Sequence, residues 1–503
     1  MTHYHVIGSA GAGMSAIAHI LLDQGHQVSG CDQQANALTH ELTERGAAIY
    51  VGHAAEHLHG VDVVATSSAL RAEHPELIAA RERRVPVLKR AELWHEWSVQ
   101  KPTLAIAGTH GKTTTTAMCA VILSELGVDP AYIVPAGGPV PGLDRFARWG
   151  SGPFVIEADE YDKLLLGLLP QVAIVTSVDW DHVDIYPTRG DVEQTFAQFV
   201  RQVRGTVIAC ADDPGVARIQ AVNPTLAAAW ESYGFAEAAT WRVSDVRLLD
   251  GWTHFMLCAP TEQMLSGRLR VPGMHNVQNA AATVAAVAQF GIAPRDALRA
   301  LEAFRGAARR FEWKGEVAGV TVIDDYAHNP AKVRATLHAA RMRYPDRRLV
   351  VYFQPHTFSR TAALVDEFGD SFGDADVVLI GDIYPSRERA VDFAGIDAAY
   401  LARHVHHPAV TASGDLTQSA HHLRSLLQSG DVLLTLGAGD GYQVGKWVMA
   451  ELEEQRTKNK EQRTKNKEQR TKNKEQRTEN REQRTENREQ RTENREQRTE
   501  NRG

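Results

Sequence analysis

Residues 104–121 read LAIAGTHGKTTTTAMCAV, an apolar run, a short glycine loop, and a helix-forming stretch. The usual phosphate-binding loop is G-x-x-x-x-G-K-[ST]. Here the glycine five places before Gly111 would be residue 106, which is Ile106. The remaining parts are present. Backbone N–H groups of Gly108, Thr109, His110 and Gly111, with those of Thr114 at the helix start, can cradle phosphates, Lys112 supplies a point charge, and the Thr113 hydroxyl can ligate Mg²⁺. Four consecutive threonines, Thr113 to Thr116, are poor helix formers in isolation, so a ligand role for Thr113 explains them better than propensity does.

Working outward, apolar strands alternate with helical patterns and end in polar clusters. In the first block, to about residue 100, "YHVIG" reads as a strand, "GMSAIAHILLDQG" as a helix stopped by Gly25, and "HQVSGCD" and "VDVVATSSAL" as further strands. In the second, "FVIEADEYD" and "VAIVTSVDWDHVD" end near Glu157, Asp159, Glu160, His182 and Asp184. The third, from about 313 to 453, repeats the style in "GVTVIDDYAHNP", "RRLVVYFQPHTFSR", "ADVVLIGDIYPSRE" and "GDVLLTLGAGD". Such alternation implies parallel sheets, whose ligands lie beyond the carboxyl ends of the strands. Carboxylates and an imidazole converging on the Lys112 loop suit Mg²⁺ in phosphoryl transfer.

A second glycine loop, Gly8 to Gly13, follows the first strand. Gly11, Ala12 and Gly13 let backbone approach a diphosphate, and Asp32 ends the next strand, where a dinucleotide fold places its ribose acid. NAD is one reading, but the order G-x-x-G-x-G is a shuffled fingerprint, and the loop does not specify the nucleotide.

Of the 503 residues, the last 49 before Gly503 are seven charged heptads, EQRTKNK then EQRTENR, starting at Glu454. They carry +6, so against a net charge of −7 the rest stands at −13. That balance disfavours nucleic acid as a partner. No heptad position is apolar, so the tail (454–503) cannot form a coiled-coil seam; a charged, solvated helix and disorder are both open, and disorder is the expectation. Cys31, Cys119, Cys210 and Cys258 show no C-x-x-C spacing, which reads as core thiols rather than disulfides or a thiolate metal site. Without a signal-like start or a long apolar run, no membrane insertion and a cytoplasmic location are expected.

Taken in order, "GTHGKTTTT", "EADE", "TSVDWDHVDIY", "PGMHNVQNA", "RRFEWKG", "DDYAHNP", "FQPHTFSRT" and "LGAGD" resemble the motifs of the Mur ligases, over residues 1 to about 450. That family uses the shortened phosphate loop. The resemblance implies an α/β protein of three domains: a Rossmann-like UDP-sugar domain (1–100), a central P-loop ATPase-like parallel sheet that binds ATP (101–312), and a Rossmann-like closing domain (313–453). It also implies ATP-dependent amide formation in peptidoglycan precursor synthesis. The lactyl carboxylate of UDP-N-acetylmuramate becomes an acyl phosphate, which the amine of L-alanine attacks.

Carried over by residue, the resemblance gives Lys112 the β/γ-phosphates, Thr113 and Glu157 one Mg²⁺ (Glu160 if the acid cluster is read one step on), and His182 a second. Asn276 and Asn279 would contact adenine, while Arg310 and Asp325 would close on ATP. Tyr326, His328, His356 and Arg360 would face the acyl phosphate and L-alanine. Gly11, Ala12, Gly13, Ser67 and Ser68 would take the UDP-sugar, making UDP rather than NAD the first loop's nucleotide. Residues 183–205 contain no lysine, so the modified lysine of the later amino-acid-adding branches is missing, as in the alanine-adding branch. Asn329 stands where that branch often has a second histidine, and Thr357 where some members have arginine. Three rivals differ in class: a ligase attaching a recycled tripeptide to the same sugar, an NAD-dependent oxidoreductase, and a non-catalytic nucleotide-binding module.

Overall fold

The computed structural model describes residues 1–500 apart from 69, 136–139, 183–184 and 261; Asp184 therefore lies outside the described residues. Three sheets follow one another along the chain. In the first, all strands are parallel: His3–Ile7 lies between Gln27–Asp32 and Val63–Thr66, with Ala48–Val51 and Val87–Lys89 at the edges. Strand order thus reverses beside His3–Ile7, which opens a crevice at that strand's carboxyl end.

The second sheet centres on Thr103–Ala107, paired in parallel with Phe154–Ala158 and Val172–Val175. It continues through Thr206–Cys210 and Ala229–Gly234 into a meander that the sequence reading did not anticipate. Trp241–Leu249, Trp252–Ala259 and Glu262–Leu269 run antiparallel to one another, so this ten-stranded sheet is mainly, not wholly, parallel. The third sheet, in spatial order Glu312–Val317, Val320–Asp325, Val432–Leu436, Leu349–Phe353, Val377–Gly381 and Val410–Gly414, is parallel beyond its first hairpin.

Helix Arg90–Gln100 joins the first two sheets and buries Trp94 and Trp97, and one apolar core runs from Val6 and Ile17 through these tryptophans to Leu104 and Phe154. The third sheet keeps its own apolar layers on its two faces. Its last helix, Tyr442–Glu500, docks through Val444 and Val448. Instead of the expected disorder, the structure continues this helix through the tail. Its docked first turns supply the nucleus that an isolated helix lacks. Beyond them it is carried by local contacts such as Lys458 Nζ to Glu454 at 2.6 Å and by threonine hydroxyls donating one turn back. Every described side chain from Glu453 onward is exposed. Among the described residues no helix is long and apolar enough to cross a membrane.

Candidate active site

Ile106 pairs with Glu157 on one side and Ile174 on the other and is fully buried. It is a strand residue, so the phosphate-type loop spans only Gly108 to Gly111. Both glycines need their freedom. Gly108 (φ 137°) has no room for a Cβ beside Thr176 and Ser177, and a Cβ on Gly111 (φ 80°) would lie 2.8 Å from Asn279 Oδ1. The loop is tied down by Thr109 N–H donating to the Ser177 carbonyl (2.9 Å) and His110 N–H donating to Ser177 Oγ (3.0 Å). Helix Lys112–Glu125 starts at once and is buried over most of its length, Thr114 included.

Lys112 Nζ donates to the Gly108 carbonyl (2.7 Å) and to Glu160 Oε2 (2.6 Å). Burial would lower its pKa, but Glu160, Asp159 and Glu157 outweigh that and hold the ammonium above its ordinary range. Glu160 responds in kind: against burial, Lys112 and His182 bring it down to about 2. Its Oε1 is buried with no hydrogen-bond partner, 3.5 Å from His182 Nε2. Thr113 Oγ1 donates to Glu157 Oε2 at 2.8 Å, and burial pushes Glu157 up. The acids therefore form two donor pairs, Thr113 with Glu157 and His182 with Glu160. A crowded set of buried carboxylates with one orphan oxygen suits hard dications.

Helix Met274–Ala288 closes this side. Asn276 donates to the Pro272 carbonyl (2.6 Å), and Asn279 sits over Gly111. Opposite stand residues of the third sheet. Arg310 Nη2 donates to Thr113 Oγ1 (3.3 Å) and lies over the Tyr326 ring. Asp325 accepts from the N–H groups of Phe311 and Ala327, which fixes the 309–328 corner, and burial raises its pKa. These residues, with His328, His356 and Arg360, line one cleft of about 1440 Å³ that also contains Lys112, Glu157 and His182.

The residue at the centre of the junction is Asp181, which no motif in the sequence singles out. Asp181 accepts from Arg360 Nε and Nη2 (3.2 and 3.0 Å) and from Asn329 Nδ2 (3.1 Å), with Lys332 Nζ 3.9 Å away. Burial opposes its ionisation, yet Lys332 and Arg360 keep it well below the usual carboxylate range. Lys332 in turn is lowered to about 8, chiefly by burial. Asn329, the departure from the double histidine, also caps helix Pro330–Arg343. His328 Nδ1 donates to the Tyr326 carbonyl (2.8 Å); since a carbonyl only accepts, Nδ1 carries the proton and Nε2 the lone pair. Burial, then Lys332 and Arg360, keep it neutral. His356 meets Arg360 at 3.2 Å and is lowered to about 4 by burial and that guanidinium.

The first domain's candidates form a separate group. Ala12 alone among them lines the large cleft. Gly11 and Gly13 lie at the start of helix Ala12–Asp23, and Ser67 and Ser68 follow strand Val63–Thr66, so both loops flank the crevice where strand order reverses. Asp32 is occupied by the loop itself, accepting from the N–H of Ala10 at 2.9 Å.

Three family models match in series: the Mur ligase family catalytic domain over residues 3–101, the Mur ligase middle domain over 106–287, and the Mur ligase glutamate ligase domain over 309–439. The UDP-N-acetylmuramate–L-alanine ligase of Roseiflexus sp. (strain RS-1) is 49% identical over 476 residues, covering 90% of this chain and 100% of the relative. The chain belongs to the Mur ligase family. A crystal structure of UDP-N-acetylmuramate–alanine ligase from Thermotoga maritima superimposes on this Mur ligase with a TM-score of 0.73 at 27% identity, covering 90% of this chain and all of that one. A murein peptide ligase from Psychrobacter arcticus, at 23% identity and a TM-score of 0.66 over 90% of this chain and 99% of its own, shares the fold. In this Mur ligase the 1440 Å³ cleft lies between the second and third matched stretches.

Proposed function

We propose that this Mur ligase joins L-alanine to the lactyl carboxylate of UDP-N-acetylmuramate, converting ATP to ADP and phosphate. The observation that carries the reading is the single cleft in which the Lys112 loop and its acids face Arg310, His328 and Arg360. The names of its relatives support the choice of sugar and amino acid. The boundaries we propose are a UDP-sugar domain to about residue 100, an ATP domain to about 312, and a closing domain to about 453.

A free carboxylate has no usable leaving group. Its oxygen attacks the γ-phosphorus, that O–P bond forms as the β,γ-bridging bond breaks, and ADP departs. Catalysis here is positioning and charge neutralisation. Lys112 moves from Glu160 to the β/γ-phosphates, and Arg310 approaches them from the third domain. Thr113 with Glu157, and His182 with Glu160, are the residues that would hold Mg²⁺, which when bound neutralises the triphosphate. Asn276 and Asn279 face the adenine. The alanine amine then attacks the acyl carbonyl, the C–N bond forms, and phosphate leaves. His328 Nε2 takes the amine's proton, and Arg360, oriented by Asp181, binds the alanine carboxylate. Gly11, Ala12, Gly13, Ser67 and Ser68 hold the UDP-sugar so that its lactyl arm reaches the cleft.

The test is ADP release with Mg²⁺. Release is expected only when UDP-N-acetylmuramate and L-alanine are both present. Turnover with a tripeptide and none with L-alanine would overturn the amino-acid assignment.

A further inference from the structure

We propose that the first domain carries a zinc site built from His5 Nε2, Cys31 Sγ, His57 Nδ1 and one carboxylate oxygen of Glu76. These four atoms, from two strands, a short 3-10 turn and a helix start, lie within 4.8 Å of one another. Glu76 Oε1 lies 3.6 Å from His5 Nε2 and 2.7 Å from His57 Nδ1, and its other oxygen, Oε2, lies 3.0 Å from Cys31 Sγ. Tetrahedral zinc with bonds of about 2.0 to 2.3 Å separates its ligands by about 3.3 to 3.8 Å, so modest side-chain adjustment closes the set.

A chain of hydrogen bonds fixes what His5 presents. His3 Nδ1 lies 2.9 Å from the Gly60 carbonyl, which can only accept, so Nδ1 bears the proton and His3 Nε2 accepts. Ser29 Oγ, 2.9 Å from that Nε2, must donate its hydrogen there. It therefore accepts from His5 Nδ1, also at 2.9 Å. His5 Nε2 is left as a lone pair, fully buried and without a hydrogen-bond partner, facing the buried Glu76 carboxylate. Two buried acceptors opposed at this distance call for a positive charge between them. The Ser29 contact is also the outer support that orients a ligating imidazole.

Donor chemistry selects the metal. One thiolate, two imidazoles and one carboxylate suit Zn²⁺, while Mg²⁺ and Ca²⁺ prefer oxygen alone. On binding, the Cys31 thiol releases its proton to solvent and His57 shifts its proton from Nδ1 to the outward Nε2. One proton leaves per metal, and the site becomes neutral. The next residue, Asp32, anchors Ala10 of the first glycine loop, so the metal clips together the two inner strands, His3–Ile7 and Gln27–Asp32, between which that loop is tied.

The full chain, stripped with EDTA, reloaded with zinc and desalted, is expected to retain one zinc per molecule. Zinc should raise the Tm by at least about 3 °C, because it binds the folded state selectively. Cobalt in its place should give a thiolate-to-metal band in the near ultraviolet with strong tetrahedral visible bands. Cys31→Ser and the partly exposed His57→Asn should lose that band while melting in EDTA like the parent chain. His182→Ala and Cys258→Ser should keep it. A cobalt spectrum without the thiolate band, or a band that survives Cys31→Ser, overturns the proposal; so does a chain that retains no zinc.

Discussion

At the scale of the residue, charge decides most of the site. Lys112 is the clearest case: buried among three carboxylates that hold its ammonium charged, it is the cation the loop offers to incoming phosphates. Lys112→Ala is expected to lower kcat by about a thousandfold or more, the scale of losing a principal phosphate cation, while UDP-sugar binding measured by calorimetry stays intact. Asp181 acts one step away. Asp181→Asn removes the charge that orients Arg360, and a charge-assisted bond of about 1.5 to 3 kcal/mol corresponds to a KM for L-alanine raised about ten- to a hundredfold. An unchanged KM would mean that Arg360 does not hold the amino acid. Lys332 gives a pH signature. Its ammonium is held down to about 8 in the ligand-free chain, and a triphosphate nearby would raise it. A non-hydrolysable ATP analogue should therefore bind with net proton uptake at pH about 8.5, and with none from this group at about 6.5, where it is already protonated. Calorimetry in two buffers reads the uptake, and Lys332→Met should abolish it. The motif around Lys112 was legible because it is contiguous. Asp181 and Lys332 were not, because their partners lie far away in sequence: Arg360 and Asn329 for one, Lys112 and Glu160 for the other.

At the scale of the element, legibility followed burial. Strands such as Thr103–Ala107 and Leu349–Phe353 are buried on both faces and read as unbroken apolar runs. The antiparallel meander is half-solvated, and Trp252–Ala259 alternates buried and partly exposed positions along its length. That period-two pattern was available in the sequence but was masked by polar and small residues within it. The zinc-type cluster was hidden for a further reason: its donors come from four separate elements, so no spacing announces it. The phosphate loop shows how one element sets the reach of another. Gly111 turns the chain into the helix at positive φ, and Asn279 packs where a side chain would lie. Gly111→Ala is expected to destabilise the chain by about 1 to 3 kcal/mol through backbone strain and to raise the KM for ATP by displacing Asn279. A parental Tm and KM would show that this contact carries neither load.

At the scale of the whole molecule, the first two sheets share one apolar core and the third has its own. The bonds named across the cleft, from Arg310 to Thr113 and from Arg360 and Asn329 to Asp181, are polar. Such a joint can open and close by exchanging these bonds for bonds to water, which suits a hinge near Arg309 and Phe311, both held at positive φ. The tail stands apart from this machinery. Its helix is continuous with the one that docks through Val444 and Val448, yet from Glu453 on it contributes no buried described side chain. Local pairs such as Glu454 with Lys458 are worth a few tenths of a kcal/mol in a helix and do not touch the third sheet. Truncation after Glu453 keeps Val444, Val448, Met449 and Leu452 in place, and every described side chain that it removes is exposed. The shortened chain is expected to keep kcat and each KM within about twofold and its Tm within about 2 °C, since exposed positions rarely shift stability by more than about 0.5 kcal/mol. Far-ultraviolet circular dichroism should lose the helical signal of the removed segment and nothing more. A larger drop in Tm or in turnover would show that the heptads brace the docked helix, and with it the face of the third sheet on which Val444 and Val448 pack.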